Sequence, residues 1–280
     1  TFLRDLTPPL IWRVARYFFK SNLPKYIGVY KTFQEIPQEN QWASDLWLKQ
    51  QITALNISNS QIVDYLPNIR HPQDLSVLYL NQLSWQNKIT VLDFGGASGE
   101  VYYHMVRGGG LLYPDNIDWT VVDAPNIFEL GKKFKSDRDR ISYINEIPVG
   151  HQFDVVNINT VLHYIDDIEG VIEKLLNVNP NHIILTRLFG CADNKAAFMP
   201  HMLLPTGERV IEYFTKNYAF GRHCPIHVLN IKKLAQAIEQ HGFHLIYRAS
   251  NMEEKLSPDA YSGVPQELQI YNTSHLFFAR

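Results

Sequence analysis

Only two cysteines, Cys191 and Cys224, occur in 280 residues. That is too few for a disulfide framework and suits a reducing compartment, so the expected location is the cytoplasm. No uninterrupted apolar stretch reaches the length needed to span a bilayer. An excess of either charge is missing as well. The 26 basic and 28 acidic side chains leave a net charge of −2, without the basic field that a nucleic-acid partner demands. The chain shows no internal repeat and no low-complexity tract. No signal peptide is visible; the first residue is Thr1 rather than methionine, which leaves the question of a leader open. What is present is ordinary globular composition, 45% hydrophobic and 19% charged, enough for a large core.

Residues 1–85 read as a helical N-terminal region. Pro8 and Pro9 precede Leu10-Ile11-Trp12-Arg13-Val14-Ala15-Arg16-Tyr17-Phe18-Phe19-Lys20, and proline favours a helix start. Such a helix carries Arg13, Arg16 and Lys20 on one side. Two readings stay open: residues 9–20 lie on an anionic membrane surface, peripheral to the inner membrane, or they dock on the core or on a partner subunit. Residues 26–37 read as an ordered loop or short strand. Residues 42–55, 58–65 and 72–83 read as helices.

From Lys88 the pattern changes to strands alternating with helices. Strands are expected at 89–94, 118–123, 141–144, 153–158 and 182–187, and helices at 99–107, 125–134 and 166–176. Residues 189–229 interrupt the rhythm and are expected to form a substrate-covering insertion with a helix at 207–217. Asn230 can cap a helix over 231–240, which Gly242 ends. Strands at 243–248 and 274–279 have no helical crossover between them, so they read as an antiparallel hairpin with a long loop, 249–273, at its tip. The expected fold of residues 86–280 is therefore α/β. It is a Rossmann-like class I methyltransferase fold with a mostly parallel seven-stranded sheet, its last strands an antiparallel hairpin.

The chemistry concentrates in Ile89-Thr90-Val91-Leu92-Asp93-Phe94-Gly95-Gly96-Ala97-Ser98-Gly99-Glu100. A strand, a glycine-rich turn and a helix start make a nucleotide-sized pocket at the carboxyl end of a strand. Gly95, Gly96 and Gly99 would let the backbone pass close to a ligand. A ribose diol wants a carboxylate acceptor at the end of the second strand, where Asp123 stands; its alternative role is a cap for the helix opened by Pro125. Asp93 can accept from the turn's own N–H groups or meet an ammonium through water. Adenine would lie near Ala124 and Asn145, and Asn159 to His163 would border the reacting methyl group. This pattern points to S-adenosyl-L-methionine (SAM). The Gly-x-Gly-x-x-Gly spacing of a nicotinamide site is absent, and no Gly-Lys-Ser/Thr follows the glycines, which excludes a Walker-type phosphate loop.

Methyl transfer is mainly a positioning task, and a sugar hydroxyl gains from a neighbouring base. His163 and His201 are the candidate bases. Packing against backbone is the alternative for the first and a surface position for the second. Tyr30, Tyr213 and His223 are the candidate substrate contacts, the tyrosines by stacking on a sugar ring or by cation–π attraction. Glu208 lies in the same insertion. No metal site is expected: Pro225 separates His223 from His227, and no cysteine or carboxylate accompanies either this pair or His241 and His244 at ligand spacing.

The chain resembles a group of methyltransferases encoded among bacterial surface-polysaccharide genes. The matching residues are Gly28-Val29-Tyr30-x-x-Phe33, Val91-Leu92-Asp93-Phe94-Gly95-Gly96-Ala97-x-Gly99, Trp119-x-Val121-Val122-Asp123-x-Pro125 and Val161-Leu162-His163-Tyr164-Ile165-Asp166-Asp167, with the long segment from Phe198 to Pro225. The group often carries glutamine where His163 stands. The resemblance implies O-methylation of a sugar in a surface glycan or its precursor. The alternative is a catalytically silent SAM-fold scaffold in a glycan-assembly complex.

Overall fold

The computed structural model describes residues 26–36, 47–49, 51–53, 72–107, 110–191, 196–202, 223–251 and 261–280. The expected helix over residues 9–20, the one over 58–65 and the one at 207–217 lie outside these residues.

Strand β1 (Tyr26–Ile27) comes first, and residues 47–49 and 51–53 are helical. Helix α1 (Pro72–Ser84) leads into β2 (Ile89–Phe94) and α2 (Glu100–Arg107). The units β3 (Ile117–Val122), α3 (Pro125–Phe134), β4 (Ile141–Ile144) and β5 (Val155–Asn159) follow. After β5 a single 3-10 turn (Leu162–Tyr164) precedes α4 (Ile168–Leu176) and β6 (His182–Cys191). Next come β7 (Ala197–Met202), β8 (His223–Val228), α5 (Ile231–Glu239), β9 (His244–Asn251), β10 (Tyr261–Ser262) and β11 (Ile270–Ala279).

The main sheet has seven strands in the order β4-β3-β2-β5-β6-β11-β9. β4, β3, β2, β5 and β6 run parallel, and β11 is antiparallel to both its neighbours, β6 and β9. This is the mostly parallel, seven-stranded Rossmann-like sheet that the sequence leads one to expect, with β9 and β11 as its antiparallel pair. α4 and α5 bury Ile168, Ile172, Leu175, Ile231 and Ile238 against Leu92, Val156, Ile183 and Phe278 on one face. α1 and α2 bury Val77, Leu80, Tyr102, Tyr103 and Met105 against Val91, Trp119, Val155 and Phe277 on the other. Burying one such aliphatic side chain contributes about 1.5–3 kcal/mol, so the two faces supply most of the driving force.

Local signals account for the element ends. Pro125 opens α3, where the missing N–H costs nothing. The side chains of Asp167 and Asn230 accept from the N–H of Gly170 and of Lys233, capping α4 and α5. Gly131 presses α3 onto β4, and a Cβ there would overlap the Tyr143 ring. Gly131→Ala is therefore expected to destabilise the fold by about 1–3 kcal/mol through overpacking, against a helix-propensity gain of about 1 kcal/mol. Urea unfolding of the two proteins measures the difference.

Two expectations need correction. The interruption assigned to residues 189–229 starts inside a strand, because β6 runs on to Cys191, and it contains the strand pair β7–β8. These join β1 and β10 in a second sheet of order β10-β1-β7-β8. The loop assigned to 249–273 is shorter, because β9 continues to Asn251, β11 begins at Ile270, and β10 lies between them. The second sheet buries Tyr26, Met199, Ile226 and Val228 together with Cys191, Val264 and Ile270. It stands against the 3-10 turn that follows β5, so it covers the carboxyl end of the parallel strands.

Candidate cofactor and acceptor site

From β2 the sheet grows outward in both directions, to β3 and β4 on one side and to β5 and β6 on the other. This reversal of strand order opens a crevice at the carboxyl ends of β2 and β5, the usual ligand position in an open α/β sheet. The turn Gly95–Gly99 forms its floor. Gly95 and Gly99 have φ of +67° and +85°, and Ala97 shares the left-handed region at +49°. Glycine supplies such angles without a Cβ penalty.

The glycines answer first to the protein's own packing. A Cβ on Gly95 would collide with Val161, one on Gly96 with the Asp93 carboxylate, and one on Gly99 with Ile141 and the Tyr143 hydroxyl. Four of the turn's five amides are also engaged. Gly95 N donates to Val122 O at 2.8 Å and Gly99 N to Gly96 O at 3.0 Å. Ala97 N donates to Asp123 Oδ2 at 2.8 Å, and Ser98 N to Gln51 Oε1 at 3.3 Å. A phosphate cradle needs such N–H groups pointing outward, so this turn is not built for an anion.

Carboxylates surround it instead. Asp93 is fully buried, and its partners correct the sequence expectation. Rather than the turn's amides, it accepts from Asn157 Nδ2 at 2.7 Å and Trp119 Nε1 at 3.1 Å. Burial pushes its pKa up to about 7, against these two hydrogen bonds, and the charge of Asp123 adds to the rise. Asp123 ties the end of β3 to the turn. Its Oδ2 holds Ala97 N and its Oδ1 accepts from Ala124 N at 2.7 Å. α3 is capped by Ala124 without a side-chain bond, so Asp123 is not its cap. Burial raises the Asp123 pKa, while the two backbone bonds lower it. Each oxygen keeps a second lone pair for a ligand hydroxyl. Glu100, in the first turn of α2, is likewise raised by burial.

The other sequence candidates divide. Asn145 is exposed just past β4, near the end of β3, whose following Asp123 N donates to Ile144 O at 3.2 Å. Asn159 Oδ1 accepts from the hydroxyls of Thr160 at 2.8 Å and Thr186 at 3.0 Å, stitching β5 to β6. His163 is fully buried, its ring stacked on Phe189 at 3.9 Å between centroids and tilted against Tyr164 at 4.1 Å. That placement suits packing rather than proton transfer to a substrate. Tyr30 bridges to Phe198 on β7 through its backbone N–H, at 2.9 Å to Phe198 O. His201 pairs in register with Cys224 and with Tyr26, and His223 with Met202, both in the second sheet. Tyr213 and Glu208 lie outside the described residues.

Several contributors were not singled out from the sequence. Gln51 reaches the turn from the helical N-terminal piece and accepts from Ser98 Oγ at 2.9 Å. Trp119 and Asn157 hold Asp93. Four non-glycine residues among those described have positive φ, and three of them, Ala97, Thr160 (+62°) and Arg187 (+57°), sit at the level where β2 and β5 end. Such strain costs about 1–3 kcal/mol per residue and gathers at functional sites. On the covering side, Phe33 meets Phe198 edge-on at 6.4 Å, Phe198 contacts the His227 ring at 4.4 Å, and Gln34 donates to Asp166. His227 is half-buried, and burial lowers its pKa, so it is mostly neutral at pH 7.

No protein-family model and no curated protein matches the chain. Solved structures do. Magnesium protoporphyrin IX methyltransferase (ChlM) from Synechocystis PCC 6803 with bound SAH is 14% identical, covering 89% of this chain and 90% of its own, with TM-score 0.45. The 1,6-didemethyltoxoflavin-N1-methyltransferase of Burkholderia thailandensis, with 1,6-didemethyltoxoflavin and S-adenosylhomocysteine bound, is 11% identical over 88% and 91%, with TM-score 0.46. The CcbJ methyltransferase from Streptomyces caelestis is 12% identical over 80% and 95%, with TM-score 0.44. The strand order, rather than these alignments, defines the fold class.

Proposed function

We propose that this chain is a SAM-dependent methyltransferase. The observation that carries this reading is the meeting of the Gly95–Gly99 turn and Asp123 at the reversal point of a class I sheet. Asp123 Oδ2 lies 2.8 Å from Ala97 N. The remaining lone pairs of Asp123 would accept the ribose hydroxyls. Ala124 and Asn145 would border the adenine, and Gly95, Gly96 and Gly99 the methionine end. Asn159 would shape the wall beside the reacting methyl group. The carboxylate-rich surroundings suit a cofactor that carries positive charge on sulfur. When bound, SAM supplies an electrophilic methyl group whose bonding electrons stay with sulfur on transfer.

The likeness to methyltransferases with bound SAH, and the resemblance in sequence to those of surface-polysaccharide gene clusters, support the reading. The acceptor proposed on that resemblance is a sugar hydroxyl of a surface glycan or its lipid- or nucleotide-linked precursor. Tyr30, His201 and His223 belong to the segments of the second sheet that would cover it. No helix among the described residues is long and apolar enough to cross a membrane. Peripheral membrane contact through residues 9–20 belongs to the same proposal.

Asp123→Ala is expected to raise the SAM dissociation constant at least tenfold by calorimetry, the loss of a charge-assisted ribose contact worth about 1.5–3 kcal/mol. Asp123→Asn, which keeps one acceptor oxygen, should fall between. Unchanged affinity in both variants overturns the assignment.

A further inference from the structure

Asp93 is a buried carboxylate with neutral partners only, the side chains of Trp119 from β3 and Asn157 from β5. It packs directly beneath Gly96, whose missing Cβ makes room for it. Asp123 holds the next amide of the same turn, that of Ala97, and Glu100 begins the helix that follows. Among the described residues, no ion pair involves any of the three. Two carboxylates flanking one turn without a cation leave negative charge uncompensated, and such charge in a buried place is costly. Nearby positive charge on a ligand relieves that cost, and its removal restores it.

We propose that Asp93 sets the site's preference for the charged cofactor over its uncharged-sulfur product. It gives up a proton when the sulfonium binds and takes one back once the thioether has formed. The inference rests on the methyltransferase reading above. In the transfer step the acceptor's lone pair forms the new bond to carbon, and the sulfur–carbon bond breaks with its electron pair left on sulfur. The acceptor loses its proton to a base or to water, and Asp93 regains one from solvent. The two ligands share their ammonium, carboxylate and hydroxyls, so those groups cancel in the comparison and only the sulfur charge differs. The groups that face Asp93 are Trp119, Asn157 and the Gly96 backbone, and Asp123 is the charged neighbour acting on it. Its pKa of about 7 makes the exchange observable near neutral pH.

The test is titration calorimetry of the full chain with SAM and, separately, with S-adenosylhomocysteine, in buffers of different ionisation enthalpy. SAM binding at pH 7 is expected to release up to about half a proton per site, and S-adenosylhomocysteine measurably less. Between pH 8 and pH 6 the SAM dissociation constant should rise about five- to tenfold, and that of the product by a clearly smaller factor. Asp93→Asn should abolish the difference while the variant still binds both ligands. Equal proton release by the two ligands, or release that persists in Asp93→Asn, overturns the inference while leaving the methyltransferase reading intact. If Asp93→Asn does not fold, the wild-type comparison of the two ligands decides alone. Binding of neither ligand overturns the methyltransferase reading itself.

Discussion

Trp119→Ala is expected to lower the unfolding free energy by about 3–5 kcal/mol from the cavity alone, with about 1–3 kcal/mol more from a donor taken away from a buried carboxylate. The indole is 1% exposed, packs against Tyr102 at 6.0 Å between centroids, and donates to Asp93. The total rivals the whole stability of an ordinary domain, so the variant should be largely unfolded or recovered in aggregates. Trp119→Phe separates the two parts. It keeps most of the volume and loses the N–H, and it should cost about 1–3 kcal/mol. Chemical denaturation at pH 8, where Asp93 is ionised, shows the larger penalty. At pH 5, with the carboxyl protonated, the Trp119→Phe penalty should shrink.

Stability of the wild-type protein should fall as pH rises from 5 to 8. The Asp93 pKa is about 7 in the folded chain and near its ordinary value of 3.8 when unfolded. Across that interval the folded state binds more protons than the unfolded state, so raising the pH favours unfolding. The contribution is fully present below the ordinary value and is lost on passing through pH 7. The full span corresponds to about 4 kcal/mol, at 1.36 kcal/mol per unit. Thermal unfolding scans between pH 5 and pH 8 should show the decline, and Asp93→Asn should flatten it. Asp123 and Glu100, raised in the same direction, add to the decline. A profile with no difference between wild type and Asp93→Asn would remove Asp93 as its source.

The main sheet was readable because its signals are local. β2, β4 and α3 have the bounds that the sequence predicts, since each is an apolar pattern fenced by glycine, proline or charge. β3 and β6 differ at their ends, where a strand's extent depends on its neighbours. The second sheet was not readable beyond an ordered loop or short strand within residues 26–37. Its strands come from residues 26, 197, 223 and 261 onward, two of them are only two residues long, and Pro200 stands opposite Pro225 in β7–β8. Prolines ordinarily argue against a strand, and nothing local announces pairing across two hundred positions. The same distance hid the partners of Asp93. Trp119 and Asn157 lie 26 and 64 positions away, and only the parallel register of β2 with β3 and β5 brings them together. The glycines were found for a reason that the structure amends. They were read as room for a ligand, and they first make room for Val161, Asp93 and Tyr143.

Strand β1 sits inside the second sheet, between β10 and β7. Strand β1 thus waits for Tyr261, made long after it, before both its edges are satisfied. Pairings so distant in sequence pay their loop-closure entropy late and slow their own formation. The covering layer should accordingly assemble after the parallel sheet beneath it, as a second and slower phase of refolding. A nascent chain cut short of Tyr261 would leave one margin of Tyr26 bare.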